Sequence, residues 1–214
     1  METPQTITQV KRSAREGIII EAAAKLFPDQ SIEMVKMTDI AAESGVGVAS
    51  LYRYFGTKVN LAIEAGALLW RRFREHFTDN LTPEFPEKTG YAQMEELFNL
   101  YSHIHSTHPE FIAFLDELDH MVLMNEVDSD RLVGYEAEVM SFFPLYQASY
   151  ERGVADGTIR GDVDFPLFYQ TTAHALMGVA QKLIRGDILP SDNFEEGHTE
   201  LGMAVDVTLR YLKQ

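Results

Sequence analysis

Residues 37–58 read MTDIAAESGVGVASLYRYFGTK. This stretch reads as two brief helices around a glycine turn, with apolar Ile40, Ala41, Val46, Leu51 and Phe55 pointing inward. Two short helices that cross closely need a small residue at the crossing, a glycine to turn the chain, and apolar residues to lock the second helix onto the first. Ala41, Gly45, Val46 and Leu51 stand in that order. The second helix is expected to begin near Gly47 or Val48 and to expose Val48, Ala49, Ser50, Tyr52, Arg53 and Tyr54. A short helix of this kind has the size to enter the major groove of DNA.

Working outward, Ala14, Ile18, Ala22 and Leu26 recur every fourth residue and predict an amphipathic helix from about Val10 to Phe27, ended by Pro28. On the other side, Thr57 is placed to cap a long helix running through Leu61, Leu68 and Phe77. The proline-bearing stretch 79–90 reads as a loop. Helices are then expected over about 91–106, from Pro109 onward, over about 130–152 with a bend at Pro144, and from Asp164 to about Arg185. The segment GVADGTIRGDVD, 153–164, is turn-rich, and Asp192 to Glu195 resembles a capping box for a last helix ending at Leu212. No strand alternation and no repeat appears, so the class is all-α with about nine helices: a three-helix head, 1–56, and a helical remainder, 57–214, entered through a connecting helix over 57–78.

The charge is divided unevenly along the chain. Among 214 residues, 18 basic side chains face 33 acidic ones, for a net −15. Residues 1–60 hold seven of each, so the whole deficit falls on residues 61–214. A uniformly acidic protein would be repelled by nucleic acid; a neutral head on an acidic body would not be. The absence of cysteine excludes a disulfide scaffold, thiolate zinc and a cysteine nucleophile. No membrane span or signal-type apolar run is legible, which points to the cytoplasm.

The segment 37–58 resembles the DNA-binding segment of TetR-type transcriptional regulators. The matching elements are Asp39-Ile40-Ala41, the Gly45-Val46 turn, Leu51-Tyr52-Arg53-Tyr54-Phe55 and Thr57-Lys58, and the preceding EAAAKLF is similar to the family's first helix. The resemblance implies that the Ser50 hydroxyl contacts phosphate or base, that Tyr52 faces the groove, and that Tyr54 and Lys58 bind phosphate. Hydroxyl and ammonium groups suit that task. The sequence departs from the family at Lys36, where a Ser or Thr cap is usual, which leaves Thr38 either to cap the helix or to face DNA from its first turn. Gly47 and Val48 stand where a polar cap and a lysine are common, so Val48 and Ala49 are expected to read thymine methyl groups.

The span 165–184 is nearly free of charge, which calls for cover on two sides. A second subunit is the expected cover, through helices near 165–185 and 195–212, and the resemblance independently implies a homodimer on double-stranded operator DNA. It also implies an effector pocket among the middle helices. Tyr101, His105, Phe114, Tyr146, His174 and Met177 are the candidate lining, for a small apolar or aromatic effector. His103, His105 and His108 invite a metal or enzyme reading, yet 103 and 105 point to different faces of a helix and no HExxH spacing is present. A protein-docking module is a third possibility. No nucleophile–base pair is legible, and neither a cofactor nor a metal is expected.

Overall fold

The computed structural model describes residues 4–186 and 197–214, with backbone alone for 4–12 and 197–198. The α-helices are α1 Pro4–Gln30, α2 Met37–Ser44, α3 Val48–Phe55, α4 Lys58–Asp79, α5 Gly90–Ser102, α6 Ile104–Thr107, α7 Pro109–Met124, α8 Ser129–Val139, α9 Phe143–Ala155, α10 Phe165–Arg185 and α11 Gly197–Leu212. With 90–107 and 129–155 each taken as one interrupted helical region, the described residues hold nine. Among them the only β pairing is an isolated bridge between Ile159 and Lys213. The fold class is all-α, with an N-terminal helix-turn-helix followed by a helical C-terminal part. The chain forms two compact units, 1–72 with 113–139 and 73–112 with 140–214.

In the first unit, α1 turns Ile19, Ala22, Ala23 and Phe27 inward. Of the expected stripe Ala22 is buried, but Ala14 and Ile18 are exposed and Leu26 only half-buried, so the buried face is turned by about one residue. The run Ile18-Ile19-Ile20 offers three helical registers, and the one adopted buries Phe27, whose ring stacks on Phe114 at 6.3 Å. Pro28 does not end the helix either. It sits in the last turn, where its missing N–H leaves only the Ala24 carbonyl without an intrahelical bond. The chain leaves the helix at Ser31, which takes φ +71° and donates its N–H to the Phe27 carbonyl at 3.0 Å. Thr57 caps α4 as expected, its hydroxyl accepting from the Asn60 N–H at 3.1 Å.

In the second unit, α5 packs on α9 and α11. A β-carbon on Gly90 would lie 2.0 Å from the Gly153 nitrogen, so the bare Gly90 sets how closely α5 and α9 cross, while the bare Gly153 makes room for Ile159. The helical region after Ser129 breaks at a 3-10 turn over Met140–Phe142, and Pro144 opens α9 instead of bending a continuous helix. A second break falls at His103, between α5 and α6. The turn 153–164 is more than a connector: Ile159 is buried and the Arg160 N–H donates to the Leu212 carbonyl at 3.0 Å. Asp164 caps α10 by accepting from the Leu167 N–H at 3.3 Å. The capping box expected at 192–195 lies outside the described residues. α10 buries Phe165, Thr172, Leu176, Ala180 and Leu183 on one face, while Leu167, Gln170, Thr171 and His174 on another are exposed.

Candidate nucleic-acid interface

α2 and α3 are joined by a left-handed Gly45, φ +66°, a conformation costly for a residue with a β-carbon. Ile40, Leu51 and Phe55 are fully buried and lock the pair. Thr38 does not cap α2: the Asp39 carboxylate reaches back to the Lys36 N–H at 2.9 Å, and Thr38 stays exposed in the first turn. Gly47 takes the cap position of α3 in extended backbone, with no side chain to accept from the helix.

With Leu51 and Phe55 inward, α3 turns the rest of its surface out. Ala49 and Arg53 are exposed, Tyr52 is 51% exposed, and Val48, Ser50 and Tyr54 are half-buried. Arg53 organises the polar part of this face. Its guanidinium donates to Ser50 Oγ and to Tyr54 Oη, each at 3.3 Å, and lies 5.0 Å from the Tyr54 ring centroid. Arg15 of α1 also lies near enough to the Tyr54 hydroxyl to act on its ionisation. The Arg53 hydrogen bond above all, and Arg15 with it, hold the phenol below its ordinary pKa. Two guanidiniums and two hydroxyls therefore converge on one surface, with donors to spare for phosphate oxygens.

Lys58 behaves differently. Its ammonium donates to the Glu33 carbonyl at 3.0 Å and the Val35 carbonyl at 3.1 Å, so it ties down the α1–α2 connector. Arg15 was missed by sequence reasoning, since one arginine in an amphipathic helix reads as a solvated face. Only the tertiary structure, which brings Arg15 near Tyr54, reveals its partner.

The effector candidates fall in different places. Phe114 belongs to the first unit, stacked on Phe27. His174 is exposed on α10. Tyr146 is buried, donates to the Leu97 carbonyl at 3.1 Å, and lies 5.1 Å from the Phe98 ring and 5.3 Å from that of Tyr169. Burial pushes the phenols of Tyr101 and Tyr146 far up, and each also feels Tyr169, whose own burial raises it to about 12. Tyr101, Tyr146 and Tyr169 are thus a neutral phenol group among aromatic rings. His105 and Met177 are half-buried in the same unit. The three histidines have separate surroundings: His103 Nδ1 lies 2.5 Å from the Asn99 carbonyl, and His108 packs 4.9 Å from His76 and 5.7 Å from Phe73. Among the described residues no three His, Cys, Asp or Glu side chains are grouped to hold a metal, and no helix is long and apolar enough to cross a membrane.

Residues 19–65 match a family model described as bacterial regulatory proteins, tetR family. The chain is 27% identical over 164 residues to the HTH-type transcriptional repressor KstR2 of Rhodococcus jostii strain RHA1, covering 74% of each. In fold it is similar to a TetR transcription regulator from Haloarcula marismortui, with a TM-score of 0.67, 18% identity and coverage of 94% and 100%. It is also similar in fold to the transcriptional regulator FadR from Bacillus subtilis in complex with stearoyl-CoA, with a TM-score of 0.59, 12% identity and coverage of 91% and 98%.

Proposed function

We propose that this chain, a TetR-type DNA-binding transcriptional regulator, is a ligand-responsive repressor that binds a two-fold operator as a homodimer in the cytoplasm. In functional terms 1–56 reads DNA, while 57–214, entered through 57–78, responds to ligand and self-associates. The observation that carries the reading is the outer face of α3. In this reading Val48 and Ala49 meet thymine methyls, Tyr52 the groove, and Ser50, Arg53 and Tyr54, with Arg15, phosphate; the exposure of Ala49, Tyr52 and Arg53 and the Arg53 bonds to Ser50 and Tyr54 support it. Thr38 and Gly47 flank this face, and Lys58 supports it from behind. No step of this activity is catalytic.

A fluorescence titration of labelled duplexes enriched from a random pool tests the reading. Wild type should bind with a steep inverse dependence on salt. Tyr52→Ala with Arg53→Ala should abolish discrimination between enriched and scrambled duplexes; equal binding of both by wild type would refute sequence-specific reading.

The dimer and the effector belong to the same proposal. On α11, Met203 and Val207 are 65% and 64% exposed and, four residues apart, lie on one stripe; on α10, Leu167 is 60% exposed. Apolar surface of this kind is suited to a second copy. The effector is read as a molecule with an apolar body and few polar atoms, held beside Tyr101, Tyr146 and Tyr169. It acts by favouring a spacing of the two heads that no longer fits successive major grooves, ~34 Å apart. Stearoyl-CoA, free stearate and free CoA are three probes for thermal stabilisation. A response to an acyl compound that weakens in Tyr146→Phe supports this placement.

A further inference from the structure

The reading head is held by two polar contacts from the 113–139 arm of its own unit. Glu117 of α7 accepts with both carboxylate oxygens from successive backbone amides of the α1–α2 connector, Ile32 at 2.7 Å and Glu33 at 2.5 Å. Arg131 of α8 donates to the Tyr54 carbonyl at 3.0 Å, pairs with Glu64, lies 3.5 Å from Asp128, and sits 5.3 Å from the Phe55 ring centroid. A helix leaves its last carbonyls without intrahelical partners and carries partial negative charge there. At the end of α3 those acceptors are taken by Arg131 on Tyr54 and by Asn60 on Phe55, the latter at 3.0 Å, while Asn60 in turn accepts from the Asp128 N–H at 3.2 Å. α8 itself fully buries no side chain. It is fastened by polar contacts: Arg131, the Tyr135 hydroxyl accepting from the Trp70 indole at 3.0 Å, and Glu138 with Arg71 at 2.6 Å. An element with so little buried apolar surface opens locally at low cost.

We propose that Arg131 and Glu117 are positioning residues for DNA recognition: by holding the Tyr54 carbonyl at the end of α3 and the two amides ahead of α2, they set the angle at which the helix pair meets the duplex. The proposal rests on the DNA-binding reading, and the two fail differently. A mis-set recognition helix loses base contacts, whereas phosphate attraction tolerates small changes of angle. Position is therefore read in the ratio of specific to non-specific affinity.

The test uses the full chain, a duplex enriched by wild type from a random pool, and a scrambled duplex of the same length. Arg131→Gln and Glu117→Gln should each weaken the enriched duplex about ten-fold, the scale of one charge-assisted hydrogen bond. Binding of the scrambled duplex should stay within about two-fold. Trp70, the single tryptophan, reports on α8 through Tyr135, and its emission should change in Arg131→Gln. Arg131→Lys keeps the charge opposite Glu64 without the fork that also reaches Tyr54, so it should fall between wild type and Arg131→Gln. If either glutamine variant does not fold, Arg131→Lys and Glu117→Asp carry the same measurement. An unchanged ratio, or a parallel loss on both duplexes, overturns the positioning role while leaving DNA binding intact. Failure of wild type to enrich any duplex overturns both.

Discussion

At the residue scale, the proposed DNA face depends on how Arg53 and Arg15 act on one phenol. A phenol held below its ordinary pKa of 10.0 begins to ionise earlier as pH rises, and a phenolate repels phosphate. DNA affinity should therefore start to fall before pH reaches the ordinary phenol range, and Tyr54→Phe should flatten that decline in an anisotropy titration across alkaline pH. Arg15→Gln should reduce the slope of log K against log salt by about one, the signature of a lost phosphate contact. An unchanged slope would return Arg15 to the role of a solvated side chain. Lys58 is the instructive contrast. The resemblance gives it to phosphate, yet its ammonium holds two connector carbonyls, so Lys58→Ala should lower thermal stability as well as affinity.

At the element scale, two glycines mark close packing around α9. Gly153→Ala would place a β-carbon 2.4 Å from the Ile159 side chain, and Gly90→Ala would drive one into the Gly153 backbone. Each should destabilise by about 3 kcal/mol or more in chemical denaturation, the upper range for overpacking. Gly134→Ala in α8 meets nothing within 4 Å and should instead stabilise by ~0.5–1 kcal/mol. A pH effect belongs to the start of α7. Burial, and then His76, hold the His108 imidazole below its ordinary 6.5. Between that lowered value and 6.5 the unfolded chain binds more protons than the folded one, so stability is lost as pH falls through this window. Melting temperatures measured from pH 7.5 to 5 should decline, and less steeply in His108→Gln.

At the scale of the whole molecule, charge is distributed unevenly: residues 1–60 are neutral and the remaining chain carries the net −15. On the proposed reading, such a body disfavours non-productive approach to a polyanion while the neutral head engages it. The proposed self-association is tested at the same scale. Leu167→Glu with Val207→Glu places charge on exposed apolar positions of α10 and α11. The double variant should sediment as a monomer at concentrations where wild type is dimeric, and should lose operator affinity by far more than any one phosphate contact contributes. A wild-type monomer at micromolar concentration would refute the dimer.

Residues 37–58 alone determined the helix-turn-helix, because a small residue at the crossing, a left-handed glycine and two buried anchors are local requirements with few solutions. The cap Thr57 and the helix start at Asp164 were legible for the same reason, since a cap bonds an amide three residues away. What only the tertiary structure decided were choices among local near-equals and contacts between distant positions. Three consecutive isoleucines could not tell which face α1 buries until Phe27 met Phe114. One proline could not tell whether it ended α1, since only one carbonyl is at stake in a last turn. The partners of Arg15, Glu117 and Arg131 lie tens of residues away, and an isolated charged side chain carries no mark of the amide, carbonyl or phenol it will find. Periodicity and capping act over a few residues and are written in sequence; register, charge partners and the setting of the reading head follow from packing.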